Sequence, residues 1–436
     1  MHLKNKQVIV LGAGSSGRAA AALALREGAD VSVHDSCEAI TGMPDGVTSV
    51  AQASQATGES SCCDLLVISP GIDGESAFAK AYAGNAGEMI GEVELASRFY
   101  KGRIVAITGT NGKTTTTELV ERILNHSGVS CRACGNYGIP FSELPVMEVP
   151  PEVAALEVSS FQLETMVTLH PDVVIWLNFS ADHMDRYAAL EDYKKAKLRV
   201  FENLTDEDDV IVRAGEEIGE QVATMHTFST EAPADYTLDD GWILCRGEKM
   251  TDLSNTRLRG LHNAENAMAA LAACASMGVD PVDASEALRG FAPPVHRCEL
   301  VRSLDGVEFI NDSKATNLHA LDSALRSQGG RPIVLIAGGK EKGLDYAELI
   351  PRLKMTTKAI VVFGEIAHQL ADTFDSLSAS VPTAVVSTLE DAVQRATSLA
   401  EHGDTILFSP GTSSFDMFAG YEDRGDRFRC IVKKLT

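Results

Sequence analysis

Thr108-Gly109-Thr110-Asn111-Gly112-Lys113-Thr114 offers what a triphosphate needs from a protein: amides freed by glycines, one ammonium and one hydroxyl. Successive amides together with Lys113 make an anion nest for the β and γ phosphates, and the Thr114 hydroxyl can ligate Mg2+. The motif departs from the full phosphate-loop pattern, since Ile107 stands where the first glycine would be. A second loop, Gly12-x-Gly14-x-x-Gly17, follows an apolar run and has Asp35 downstream. By spacing it is a dinucleotide fingerprint with Asp35 poised for a ribose hydroxyl. Its physics is more general, because amides at a helix N-terminus suit any nucleotide diphosphate. Taken alone, this loop reads as an NAD(P) site, a site for another nucleotide, or a plain tight turn. Two glycine loops, one of them followed by Lys-Thr, point to two different nucleotides, and a dehydrogenase has no use for the second. Glu157 and the Asp182-His183-Met184-Asp185 run lie beyond later apolar runs and fit a magnesium site. By spacing, Lys194, Lys195, Lys197 and Arg199 read as a solvated helix face.

Something must hold these groups at one place. Strand-like runs at 8–11, 31–34 and 65–68 alternate with an Ala/Leu-rich helix at 18–26. A second array begins with a strand at 104–107 and a helix to about residue 124. Strands at 153–156 and 173–177 follow, then short strands near 210–212 and 242–244 and helices at 263–277 and 281–290. Phe291-Ala292-Pro293-Pro294 is a breaker and the best linker candidate. A third array has strands near 307–310, 333–336, 359–363 and 405–408. Alternation of this kind predicts mostly parallel sheets with helices on both faces. Open α/β sheets bind ligands beyond the carboxyl ends of their strands, and the polar motifs of all three arrays sit there. The expected fold is α/β with three domains. Rossmann-like sheets at 1–98 and 295–436 flank a central P-loop-type mononucleotide-binding domain at 99–294.

The 436 residues agree with three domains at roughly 150 residues each. Apolar residues make up 44% and charged residues 23%, ordinary for a globular chain and unlike disorder, collagen or coiled coil. A net charge of −23 argues against gripping nucleic acid or an anionic membrane through bulk charge. It leaves room for an anionic substrate, because local amides and lysines outweigh distant carboxylates. No apolar stretch approaches the ~18–20 residues of a membrane span. The N-terminus runs directly into a strand, so no signal peptide is expected. Nine cysteines, with close pairs only at Cys62-Cys63 and Cys131-x-x-Cys134, lack zinc-ligand spacing. They read as structural thiols or, less simply, as a redox or metal pair. A cytoplasmic monomer is expected.

The glycine loop at 108–114, Glu157-Val-Ser-Ser-Phe-Gln-Leu-Glu164 and Asp182-His-Met-Asp-Arg-Tyr187 together resemble the ATP-dependent Mur ligases. Tyr193-x-x-Ala-Lys-Leu-Arg199, His262-Asn-x-x-Asn266, His296-Arg297, Asn311-Asp-Ser-Lys-Ala-Thr-Asn317 and Ser414-Phe-Asp416 extend the resemblance, in order, over essentially the whole chain. It implies an amide ligase that joins D-glutamate to UDP-N-acetylmuramoyl-L-alanine through an acyl phosphate. Thr110, Asn111, Gly112, Lys113, Thr114, Thr115, Asn266, Arg297 and Asp312 are then the expected ATP residues. Thr114, Glu157, His183 and Lys197 are the expected ligands of two Mg2+ ions, Lys197 as a carbamate formed with CO2. Lys113, His183, Lys197 and Lys314 are the expected catalytic groups.

The resemblance places the UDP substrate at Ser15, Ser16, Gly17, Ser36, Cys37, Ser69, Gly71, Asn136 and Ser159. Cys37 departs from the cationic residue expected there, and Asn136 also reads as a turn residue tolerating a left-handed backbone. D-Glutamate falls to Thr316, Lys342, Ser414 and Tyr421, with Tyr421 where phenylalanine is expected. Lys340 offers the same chemistry two residues from Lys342. The rival readings are a sister ligase taking another amino acid, a folylpolyglutamate synthase-like enzyme, an NAD-dependent oxidoreductase and a non-catalytic nucleotide-binding regulator.

Overall fold

Along strand Arg103–Thr108, Val105 and Ile107 enter one apolar cluster while Ile104 and Ala106 enter another on the opposite face. Strands Gln7–Leu11 and Ile333–Gly338 split in the same way, Val8 and Val10 against Ile9 and Leu11, and Ile333 and Leu335 against Val334 and Ile336. A strand buried on both faces must be covered by helices on both sides, which is why these runs are continuously apolar. The computed structural model describes residues 2–182, 186–258, 260–291, 295–326, 328, 330–377 and 380–435. Among them are three sheets.

The first sheet is wholly parallel, in the spatial order Thr48–Val50, Asp30–His34, Gln7–Leu11, Cys63–Ile68 and Ala86–Gly91. The progression of strand order reverses at Gln7–Leu11, so a crevice opens between the loops after that strand and after Cys63–Ile68. The second sheet has nine strands among the described residues. Its parallel part includes Asp209–Arg213, Val173–Trp176, Arg103–Thr108, Val153–Glu157 and Cys131–Gly135 as consecutive neighbours. Beyond Asp209–Arg213 come Thr224–Ser229, Tyr236–Asp239, Trp242–Cys245 and Glu248–Asp252, the last three antiparallel. Of these four the sequence alone indicates only the run near 242–244. The third sheet runs Glu299–Leu304, Val307–Asn311, Thr405–Phe408, Ile333–Gly338, Thr357–Phe363 and Thr383–Val385, with its first pair antiparallel. The proline breaker at 292–294 lies outside the described residues.

Helix Glu92–Phe99 leads from the first sheet into the second and is fastened to the latter by carboxylates. Glu94 accepts from the amides of Val167, Thr168 and Leu169 and pairs with Arg98 at 2.8 Å. Glu92 takes the Ser142 amide on one oxygen at 2.6 Å, and its other oxygen is buried without a partner. Burial pushes the Glu92 carboxyl up to about 7. Between the ordinary carboxyl value and about 7 the folded chain therefore holds a proton that the unfolded chain releases. The resulting stability is complete at low pH and is lost as pH rises through about 7. Glu92→Gln is expected to raise stability at pH 8 by up to about 3 kcal/mol, seen as a higher thermal midpoint, with little gain at pH 5. Equal gains at the two pH values would contradict this account.

Candidate functional site

Helix Lys113–His126 starts directly after Gly112, whose φ of +87° is left-handed. A Cβ at Gly112 would lie 2.2 Å from Asn266 Oδ1, so the loop and helix Leu261–Ser276 meet only because residue 112 is glycine. The loop is held from outside by Asn178, just past strand Val173–Trp176. Its side chain accepts from the Asn111 amide at 2.9 Å and donates to the Asn111 carbonyl at 3.1 Å. Lys113 Nζ curls onto the Gly109 and Thr110 carbonyls, both at 2.9 Å. Lys197, 1% exposed, reaches the same Gly109 carbonyl at 2.8 Å. Desolvation lowers both ammonium groups, and proximity to Lys113 lowers Lys197 further, well below its ordinary value. Tyr193, whose ring lies 5.3 Å from Lys197 Nζ, supplies part of that dry wall.

Two cations from the third sheet's side converge on the same loop. Arg297 Nη2 donates to Thr114 Oγ1 at 3.0 Å and Lys314 Nζ does so at 3.4 Å. Desolvation, reinforced by Arg297, pushes Lys314 down to about 8. Opposite them Glu157 ends strand Val153–Glu157, 2% exposed. Its Oε1 accepts from Asn136 Nδ2 at 2.7 Å, while its Oε2 is buried with no hydrogen-bond partner. In a chain of net charge −23, this corner is locally cationic around one unsatisfied carboxylate oxygen.

A cleft of about 600 Å3 joins Lys113, Thr114, Glu157, Arg297 and Lys314, while Lys197, buried behind the loop, is outside its lining. From the second sheet's side it is lined by Thr110, Asn111, Gly112, Lys113, Thr114 and Thr115, with Asn136, Glu157 and Asn266. From the third sheet's side come Arg297, Asp312, Lys314, Thr316 and Tyr421. Asp312 is 7% exposed, accepts from Ser409 at 2.7 Å and from the Cys298 amide at 3.1 Å, and is pushed up to about 6 by burial. The Tyr421 ring lies 5.1 Å from Lys314 Nζ, a cation–π contact open to phenylalanine as well. Lys342 is outside the lining and donates to the Thr316 carbonyl at 3.3 Å. Ser414 is buried and also outside the lining. His183 lies outside the described residues. Among the described residues no three His, Cys, Asp or Glu side chains gather as a metal cluster.

A second crevice, about 390 Å3, opens where the strand order of the first sheet reverses. Ser15, Ser16, Ser36, Ser69 and Gly71 line it. Ser15 and Ser16 open the twelve-residue helix Ser15–Arg26, so first-turn amides are available to an anion. Gly17 is not in the lining, and a Cβ there would sit 1.8 Å from the Gly12 carbonyl oxygen. Its glycine serves close packing of helix on turn. Both Asp35 oxygens receive amides, from Ala13 at 2.7 Å and Cys37 at 2.9 Å. Desolvation opposes ionisation of Asp35, but these amides prevail and hold it below the usual range. Asp35 thus shapes the loop, and the dinucleotide fingerprint is matched in spacing with its acid occupied locally. Cys37 is exposed and turns its thiol to the Ala39 carbonyl, away from the lining. Ser159 caps helix Ser160–Leu163 together with Gln162.

Three further residues position the site. Asn178 is one. Asp182 accepts from Asn317 Nδ2 at 2.9 Å and approaches Lys342 at 4.0 Å, tying the second and third sheets together. Arg424 is fully buried and donates to the carbonyls of Thr412, Ser413 and Ser313 and to the Ser313 hydroxyl. Burial pushes it down to about 10. It clamps two strand-end loops of the third sheet. Asn178 carried a signal, its place at a strand's carboxyl end; Arg424 sits in a charge-rich helix that reads as solvated.

Models of the Mur ligase middle domain and of the Mur ligase glutamate ligase domain match residues 107–274 and 296–411. A UDP-N-acetylmuramoylalanine–D-glutamate ligase of Geobacter metallireducens is 39% identical over all of this chain and 99% of its own length. A protein of the same name from Trichlorobacter lovleyi is 37% identical over the full length of both chains. Among solved structures, the UDP-N-acetylmuramate-alanine ligase of Thermotoga maritima superposes with a TM-score of 0.62 at 18% identity, over 98% of this chain and 99% of its own. The MurF ligase of the same organism, solved with ADP, gives 0.61 at 18%, over 99% and 96%. These structural likenesses establish the fold, and the full-length relatives establish more: the chain belongs to the Mur ligase family.

Proposed function

We propose that this chain is an ATP-dependent amide ligase that adds D-glutamate to UDP-N-acetylmuramoyl-L-alanine in peptidoglycan precursor synthesis. The observation that carries the reading is the meeting of Arg297 and Lys314 on the Thr114 hydroxyl, beside the loop onto which Lys113 folds and opposite the unsatisfied oxygen of Glu157. Full-length relatives bearing that activity in their names supply the substrates. In this reading residues 1–98, 99–294 and 295–436 are three domains, holding the UDP substrate, ATP and D-glutamate. Every group invoked comes from one chain, so one copy suffices. Consumption of ATP supports a cytoplasmic reaction. Among the described residues no helix is long and apolar enough to cross a membrane.

ATP lies over the 110–115 amides, with its phosphates toward Lys113 and its base toward Asn266. Arg297 and Lys314 draw charge from the γ-phosphoryl group as the L-alanyl carboxylate of the substrate attacks it. ADP leaves and an acyl phosphate remains. The D-glutamate amine attacks the acyl carbon, and the tetrahedral intermediate expels phosphate. Thr316, Lys342, Ser414 and Tyr421 stand around the third sheet's loops for the glutamate carboxylates. Lys342 and Ser414 would have to turn toward the cleft from their present contacts.

The donors fit Mg2+. Glu157 Oε2 and the Thr114 hydroxyl are hard oxygens, and a sparse protein shell suits an ion that keeps waters and phosphate oxygens. When bound, Mg2+ screens the repulsion between carboxylate and triphosphate. Lys197 supports the carbamate reading because only a neutral amine captures CO2, and burial beside Lys113 favours the neutral form. The product would be an anionic ligand among cations.

An isotope experiment tests the acyl phosphate. With 18O in the L-alanyl carboxylate, one labelled oxygen is expected in each phosphate released. Unlabelled phosphate would rule out attack by that carboxylate.

A further inference from the structure

Helix Lys113–His126 carries a polar stripe at positions 114, 118, 121 and 125, one face of a helix by its three- and four-residue spacing. Each member below Thr114 reaches strand Cys131–Gly135 or the loop that follows. Asn125 accepts from the Cys131 amide at 3.0 Å and donates to its carbonyl at 2.9 Å. Glu121 accepts from the Ala133 amide at 2.9 Å. Glu118 accepts a hydrogen bond from the Tyr137 hydroxyl. The first three bonds go to backbone and need no particular side chain across from them. The fourth requires a side-chain acceptor oxygen and a phenol, and it lies at the end nearest the phosphates.

Tyr137 lines the large cleft and is bonded in sequence to Asn136, which makes two bonds to Glu157: amide to carbonyl at 2.9 Å and Nδ2 to Oε1 at 2.7 Å. Gly135 before them has φ +94°, and a Cβ there would meet the Glu157 carbonyl at 2.4 Å. The loop therefore rides directly on Glu157, and its far side is pinned to Glu118, one helical turn from Thr114. Resting on the ligase reading above, we infer that Glu118 and Tyr137 are a positioning pair: their hydrogen bond fixes Asn136, and through it Glu157, relative to Thr114. Neither group touches a reacting atom. What the pair sets is the separation of two oxygens, Glu157 Oε2 and Thr114 Oγ1, that would hold Mg2+ when it is bound. Partners beyond a metal's own ligands commonly alter its affinity by 10- to 100-fold, and this pair stands one step further out, so about three- to tenfold is expected.

Calorimetric titration of ATP into the full chain, with and without Mg2+, reads this directly and needs no turnover. Tyr137→Phe keeps the ring and removes only the hydroxyl. Its gain in ATP affinity on adding Mg2+ should fall about three- to tenfold below wild type, with metal-free ATP binding unchanged. Glu118→Ala should match it, the double variant should be no worse than either, and Glu118→Gln, which keeps an acceptor oxygen, should retain the wild-type gain. An undiminished Mg2+ gain in Tyr137→Phe would overturn the proposal. So would equal losses with and without metal, the mark of a merely structural role, or a Glu118→Gln as impaired as Glu118→Ala. If ATP binding by the wild-type chain ignores Mg2+, the ligase reading itself falls and the pair's role falls with it.

Discussion

Lys113→Ala is expected to lower ATP-dependent phosphate release by about 10³-fold or more, while binding of the UDP substrate persists. The ammonium rests on the carbonyls of Gly109 and Thr110, inside the loop whose amides would face the phosphates. Arg297 and Lys314 already reach Thr114 from the third sheet, so loss of Lys113 leaves two cations in place. They approach from the opposite wall and cannot replace a charge seated within the loop. The UDP crevice is built on a different sheet from Ser15, Ser16 and Ser69, with no contribution from residue 113. Single-turnover phosphate release, read beside equilibrium binding of the UDP substrate, separates the two effects. A loss below tenfold would mean that Lys113 does not act on the transferring phosphate.

The second large effect is expected at Lys197. A side chain 1% exposed, sharing the Gly109 carbonyl with Lys113 and lowered first by desolvation, is poorly suited to being a charged surface lysine. As a carbamate it becomes an anion beside the cation it now repels. Lys197→Ala should therefore reduce ligation by about 10²- to 10³-fold. Small carboxylates such as formate or acetate should restore part of the rate by filling the carbamate's place. Rescue that saturates with carboxylate, and is absent with chloride at equal ionic strength, is the signature. Normal activity in Lys197→Ala without additive would sink the carbamate assignment.

Most strands that position the clefts were legible because they are buried on two faces and so read as uninterrupted apolar runs; Cys131–Gly135, which carries Asn136 and Tyr137, has Arg132 in its middle and did not. The glycine loops were legible because their chemistry is local: Gly112 is followed at once by Lys113 and Thr114. The strands from Thr224–Ser229 to Glu248–Asp252 were not, apart from the short run at 242–244. Segments such as Tyr236–Asp239 are short and half-buried, with pairing set by neighbours. Asp35 matched a sequence pattern, yet its carboxylate is engaged by the amides of Ala13 and Cys37, a use that spacing does not reveal. Gly17 likewise belongs to packing against Gly12. Arg424 escaped notice, and Asp182 was read only as part of a magnesium-site run, because their partners are far away in sequence, and only the assembled loops give a buried guanidinium or a bridging carboxylate its purpose. The basic run at 194–199 shows the limit most clearly. Lys194 meets Glu217 at an exposed rim, while Lys197, one turn on, is sealed against the phosphate loop.

Phosphate release with ATP, Mg2+ and UDP-N-acetylmuramoyl-L-alanine, compared across D-glutamate, L-glutamate, meso-diaminopimelate, L-lysine and L-alanine, tests the central claim most directly. Release with D-glutamate alone, together with the amide product by mass, is the predicted result. Release with a different amino acid would keep the phosphoryl chemistry and overturn the roles given to Thr316, Lys342, Ser414 and Tyr421. Release with none of them, in a chain that binds ATP, would contradict the ligase reading.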